Sequence, residues 1–223
     1  MQDPLHQAAS LLIPHGKVVE VRALTDQYIH SGYFDNRDDL VQQVAALDTD
    51  PGMQGIYLTL NEVNPALLSR RANRIKMRLG KKDATTSDAD ILRRRWLPID
   101  IDPVRPSGVS SSNEEHDLAL DKAGVIAAWL AEMGFPDPIL ADSGNGAHLL
   151  YRINLPNDEE STALVKRCLE VLDLLFSDRF VSVDTANFNA ARIWKLYGTV
   201  SRKGDNTPDR PHRQSRIIEA PSL

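Results

Sequence analysis

Residues 93–108 read "RRRWLPIDIDPVRPSG": three arginines, an apolar run, then two aspartates one residue apart. In a strand, residues i and i+2 face the same way, so Asp100 and Asp102 stand roughly 6 to 7 Å apart on one face while Ile99 and Ile101 turn to a core. Carboxylates held this close repel and raise each other's pKa, so a site that keeps both ionised calls for a cation between them. Two divalent ions about 4 Å apart would meet that need. Alone, the pattern also fits an edge strand carrying two solvated aspartates.

Upstream, "GKVVEVRAL" alternates like a strand, "RDDLVQQVAALD" has helical spacing, and "MQGIYLTLN" reads as a second strand ending at Asn61. The run "NPALLSRRANRIKMRLGKK" predicts a basic helix and "DATTSDAD" a polar loop. Downstream come a Pro/Ser-rich loop, "DLALDKAGVIAAWLAEMG" as an amphipathic helix stopped by Gly134, and the hairpin "PILADSGNGAHLLYRI". A helix at about 158–176, the strand "FVSVDT" and a basic tail complete the pattern. The order predicts an α+β chain without internal repeat or domain-sized linker.

The chain has 223 residues, 42% of them hydrophobic, which is enough to bury the core of one to one and a half ordinary domains. No run approaches the roughly 18 apolar residues that a membrane span needs, and the start lacks a signal peptide's basic and apolar regions. A cytoplasmic protein with no membrane partner is expected. Cys168, the only cysteine, falls in a helical pattern and reads as core, so there is neither a disulfide nor a cysteine zinc site. The six histidines show no paired ligand spacing. Carboxylates are left as ligands, and they select hard ions such as Mg or Mn.

Net charge is −5, which argues against coating nucleic acid through bulk positive charge. The charge is segregated, however. Residues 66–96 carry ten Lys/Arg against three Asp, and residues 192–216 carry seven against two. Such blocks are commonly solvated faces, but two of them beside an acidic pair invite a joint explanation.

Two further constellations bear on it. In "DSGNGAHLLY" a Gly-rich turn links two strands; Ser143, Gly144, Asn145 and Gly146 leave backbone N–H groups free to face an anion, and His148 can donate to phosphate. A plain tight turn explains the glycines equally well. In "VSVDTANFNAARIWKLYGTVSRKGD", Asp184 ends an apolar strand, where an aspartate often caps a turn or helix. Arg192 and Lys195 share one face if the segment is helical, and Arg202 and Lys203 follow Gly198.

In order, a strand DxD, an SGxGxH turn and a strand-end Asp followed by basic residues, the chain resembles the primase-polymerase branch of the archaeo-eukaryotic primase superfamily, known from bacterial, phage and plasmid replication proteins. "LPIDIDPVRPSG", "DSGNGAHLLYRI" and "VDTANFNAARIWKLYGTVSRKGD" are similar to its three motifs, across about 96–216. Upstream, "GYFDN" and "IYLTLNEVNP" also look family-like. "KLYGT" departs from the family, where many members have Arg and Pro; Lys195 keeps the charge but cannot bind phosphate bidentately.

The resemblance implies an N-terminal α/β unit (about 1–95) packed on an RRM-like antiparallel sheet (about 96–218), together the archaeo-eukaryotic primase fold. The activity implied is DNA-dependent nucleotidyl transfer, as primase or DNA polymerase, with NTP or dNTP as substrate and single-stranded or primed DNA as template. Asp100, Asp102 and Asp184 would bind two Mg or Mn ions. Ser143, Gly144, Asn145, Gly146 and His148 would hold the triphosphate, and Arg192, Lys195 and Lys203 would neutralise it. Arg70, Arg71, Arg74, Arg93, Arg94 and Arg95 would follow the template. Relatives often carry a helicase or accessory domain downstream, so residues 219–223 are expected to be a tail truncated before one. Two other classes compete: a replication-initiator DNA-binding module that does no chemistry, against which the intact carboxylates argue, and a metal-dependent phosphohydrolase. Hydrolysis requires a general base, and the sequence offers no evident His or Glu beside the DxD.

Overall fold

Apolar alternation builds the first sheet. In the computed structural model, which describes residues 3–221, helix α1 (Pro4–Leu12) leads into β1 (Val19–Leu24), β2 (Ile29–Phe34), helix α2 (Arg37–Asp48) and β3 (Gly55–Thr59). The strands pair antiparallel in the order β2-β1-β3. Val19, Val21, Ala23, Ile56 and Leu58 turn into a core that they share with α1 and α2. Asn36 caps α2 by accepting from the N–H groups of Asp38 and Asp39, a contribution of about 1 kcal/mol.

Next come β4 (Glu62–Val63), β5 (Ile91–Pro103), α3 (Asn113–Glu132), β6 (Ile139–Asp142), β7 (Ala147–Pro156), α4 (Glu159–Phe176) and β8 (Val181–Val183). From β5 to β8 the chain runs β-α-β-β-α-β, and its strands lie in the order β8-β5-β7-β6, all antiparallel. Leu97, Ile99, Ile101, Leu149 and Tyr151 pack on α3 and α4 in a second core. The opposite face of the same strands turns Trp96 and Leu150 to the first core. Sheet and helices therefore leave Asp100 on the face that meets the first sheet.

The last strands tie the two sheets together. They are β9 (Ile193–Lys195), β10 (Val200–Ser201), β11 (Arg213–Gln214) and β12 (Arg216–Glu219). β9 joins β3 at the edge of the first sheet, β12 joins β6 at the edge of the second, and β10 pairs with β11. A boundary near residue 95 falls inside β5, and β9 crosses back, so the two expected units interlock. Residues 222–223 of the expected tail lie outside the described residues; Glu219 ends β12.

Two expectations need correction, and one element is new. The basic run after Asn64 is not a helix: only Pro65–Arg70 forms a 3₁₀ turn, and Asn73 (φ 47°) and Arg78 (φ 54°) interrupt any helix. The run instead lies along the free edge of β2, exchanging backbone hydrogen bonds between Tyr33 and Arg71 and Asn73, and between Ser31 and Lys76. An open strand edge needs partners, and that demand overrides local helical propensity. Arg192 and Lys195 do not share a helical face, because Lys195 belongs to β9. Helix α1, with Pro4 in its first turn, was not anticipated.

Candidate active site

Sheet register gathers the site. Asp100 on β5 lies opposite His148 on β7; on its other side, Asp184 just past β8 donates its backbone N–H to the Asp100 carbonyl at 2.9 Å. Cross-strand partners face the same way, so the three form one row. Asp102 follows on the same face, opposite Ser182. The row opens into a cleft of about 100 Å³, also lined by Tyr57 of β3 and by Trp194 and Lys195 of β9, with Lys203 at its rim.

His148 is held from three sides. Its ring packs against Trp194, tilted by 39° with centroids 4.1 Å apart, Nδ1 lies 3.0 Å from the Tyr197 hydroxyl, and Nε2 lies 3.3 Å from Asp100 Oδ1. Trp194 Nε1 donates to that same hydroxyl at 2.9 Å. The donor order that satisfies every group runs from Trp194 to Tyr197 to His148 Nδ1, which leaves Nε2–H pointing at Asp100. Burial pushes the Tyr197 phenol well above its ordinary value, so it stays a donor.

The two strand aspartates are electrostatically unlike. Burial pushes the Asp100 carboxyl up, but neighbouring His148 and Lys203 outweigh it and leave the group below the usual carboxylate value. Burial and the Asp100 charge push Asp102 the other way, against a weaker pull from Arg105. A close carboxylate pair thus splits into one charged member and one that holds its proton more tightly.

Asp184 has two roles. Its Oδ1 accepts from the Ala186 N–H at 2.8 Å, the turn contact that a strand-end aspartate commonly makes. Its Oδ2 accepts from the Asn187 amide at 3.0 Å, and the same amide lies 3.5 Å from Asp100 Oδ2. Asn187, which sequence reasoning missed, links the two carboxylates; the signal was an amide three residues past Asp184. Arg192 donates to Asn187 Oδ1 at 2.7 Å and approaches Asp184 at 3.7 Å.

Among the described residues, no group of three or more His, Cys, Asp or Glu is drawn close enough to hold a metal ion by itself. The donor chemistry nonetheless fits a Mg-type ion, which is commonly bound by one or two carboxylates together with substrate phosphates. Asp100 Oδ1 is buried with His148 Nε2 at 3.3 Å and no well-directed hydrogen bond, and a buried anionic oxygen so thinly satisfied gains from a further cationic partner.

The Gly-rich turn does not present free amides. The Gly144 N–H donates to Asp142 Oδ1 at 2.7 Å, and those of Asn145 and Gly146 go to Ser143 Oγ. The glycines are there for space and backbone conformation: Gly144 has φ +92°, and a Cβ on Gly146 would sit 2.4 Å from the Ile101 carbonyl oxygen. Ser143 and Asn145 still line the cleft.

The arginines divide. Arg71 and Arg94 are buried, at 4% and 3% exposure. Arg71 reaches Ser31 and the Ala84 carbonyl; Arg94 reaches the Phe188 carbonyl and Thr162. Both guanidinium groups hold the fold. Arg93 and Arg95 bind Asn154, and Arg95 also pairs with Glu62. Arg70 contacts Tyr33 and the Thr85 carbonyl, and Arg74 is exposed. None of the six reaches the cleft. A larger cavity, about 240 Å³, lies beside Trp96, Arg95 and Arg152. It lacks a carboxylate pair, and its only acid, Glu62, is bound by Lys17 and Arg95.

Comparison of the chain with protein-family models, curated proteins and solved structures returned no match. Among the described residues no helix is long and apolar enough to cross a membrane.

Proposed function

We propose that the chain is a DNA-dependent nucleotidyltransferase, a primase or DNA polymerase of archaeo-eukaryotic primase fold, that adds NTP or dNTP to a 3′-hydroxyl on single-stranded or primed DNA. The observation that carries this reading is the row His148–Asp100–Asp184, with Asp102 and Lys203 beside it, in a cleft between two sheets. The strand order β8-β5-β7-β6 supports the RRM-like part of the architecture.

Nucleotidyl transfer is mainly a task of positioning and charge neutralisation. Two Mg or Mn ions bound through Asp100 and Asp102, with Asp184 adjoining, would activate the attacking hydroxyl and offset the charge of the leaving pyrophosphate. His148, fixed by Trp194 and Tyr197, points a donor where a phosphate would lie beside Asp100. Lys203 adds positive charge at the rim. Ser143 and Asn145 contribute side chains rather than a backbone cradle. Arg74 and Arg70 remain as template contacts on the solvent side.

One observation favours a second reading, a metal-dependent phosphohydrolase. The register sets His148 beside Asp100, so an imidazole stands where the sequence offered none, and in the other tautomer, with the proton on Nδ1 and donated to Tyr197, its Nε2 is a candidate base. Incubating the protein with a primed template, nucleotides and Mn separates the readings. Primer extension supports the transferase. Release of phosphate or nucleoside without extension supports the hydrolase, and DNA binding alone rejects both.

A further inference from the structure

Lys195 stands out among the cleft residues because it is buried, at 4% exposure, without a counter-ion among the described residues. An ammonium has three donors. Only one meets a protein acceptor, the Val200 carbonyl at 2.9 Å, and the Tyr57 ring centroid lies 5.6 Å away. The nearest candidate carboxylate, Asp48, is already engaged by the Val200 N–H and the Arg202 guanidinium. The remaining donors have the cleft to face, which Asp100 and Asp102 also line.

We propose that Lys195 is the general acid of the transfer, protonating the pyrophosphate as it leaves; this rests on the function proposed above. As the 3′-oxygen bonds to the α-phosphorus, the bond from that phosphorus to the α,β-bridging oxygen breaks. A proton passes from Nζ to the bridging oxygen. The hydroxyl proton is lost to solvent, and the neutral amine recovers a proton from water, so atoms and charge balance.

The surroundings suit a donor better than a fixed clamp, for which an arginine's permanent charge serves best. Burial pulls the Lys195 ammonium down to about 7; Asp48 opposes this, and Arg202 and Lys203 add to it. Tyr57 from β3 also faces it; Asp100 and Asp102 from β5 line the same cleft but are not among the charges that shift it. General acids work best when their pKa lies near the working pH.

Two measurements test the proposal. In single-turnover extension with Mn between about pH 6 and pH 9, wild type should slow as pH rises, because the donor must be protonated. Lys195→Arg should lower the maximal rate about 10²-fold and lose that limb. Lys195→Met, which leaves no buried charge, provides a second variant that should fold and lose rate equally. By ¹⁵N NMR of the free wild-type protein, Nζ should titrate near neutrality. Lys195→Arg with wild-type rate and the same limb, or an Nζ that titrates as an ordinary lysine, overturns the donor role alone. A wild type that extends no primer overturns the function reading, and the donor role with it.

Discussion

Asp184 donates its backbone N–H to the carbonyl of Asp100 at 2.9 Å, and the Asn187 side chain spans both carboxylates. Two acids remote in sequence are thereby fixed side by side through main-chain pairing, so their spacing does not depend on flexible side chains.

Replacing Asp100 or Asp102 by Asn should therefore remove chemistry without removing the fold. Primer extension with Mn is expected to drop by at least about 10²- to 10³-fold, with the far-UV spectrum unchanged. Extension within a few-fold of wild type would take these carboxylates out of catalysis.

The turn at 143–146 makes a steric prediction. In Gly146→Ala the new methyl meets the Ile101 carbonyl oxygen, whereas Gly16, at φ +69°, has nothing within 4 Å of a built Cβ. Gly16→Ala should cost only its backbone strain, about 1 to 2 kcal/mol. Gly146→Ala should cost more and also reduce activity, since it displaces β5 beside Asp102. Urea midpoints compare the two, and equal losses would reject the clash.

Acid stability should respond to Asp178, which accepts from Lys122 and from the N–H groups of Phe180 and Val181 just before β8. The Lys122 hydrogen bond, followed by those two amides, lowers its carboxyl from 3.8 to about 2. A depressed carboxyl stabilises the fold above its unfolded pKa and loses that contribution as pH falls through the folded value. Urea midpoints of wild type should thus fall between about pH 4 and pH 2, more steeply than those of Asp178→Asn. Parallel curves would refute the assignment.

The arginines should separate stability from binding. Arg94→Ala removes a buried side chain together with its hydrogen bonds to the part-buried Phe188 carbonyl and Thr162 hydroxyl and should destabilise by about 1 to 3 kcal/mol. Arg74→Ala should leave stability unchanged and reduce the salt dependence of single-stranded DNA binding, by about 0.7 in the log–log slope if it meets one phosphate. An unaltered slope removes Arg74 from the template path.

Most regular elements were legible because their signals are local. α2, α3, α4 and the strands around Asp100, His148 and Asp184 follow from periodicity, and Gly134, at φ +86°, ends α3 as expected; α3 begins earlier than its periodicity indicates, at Asn113 behind a Ser112–Glu115 capping box. The basic run along β2 was not, since its conformation is set by an edge it meets only after folding. The same holds for the site. Residue types at 100, 102, 148 and 184 announce charge and donors, but Tyr57, Asn187 and Trp194 enter the cleft only through register. The occupied amides of the 143–146 turn were hidden too, because their acceptors, Asp142 and Ser143, lie inside the motif that was read as open.

β9 has a mechanical consequence. Because the polypeptide threads back to hydrogen-bond with β3 after completing the other layer, the cleft walls are not lobes on a hinge. Jaw-like opening would have to strain the crossover from β8 to β9, which the Asp184–Asp100 and Arg192–Asn187 hydrogen bonds hold. A ligand of this cleft would therefore meet a slot whose width is largely set beforehand, and discrimination among ligands would rest on fit at its rim rather than on closure around them.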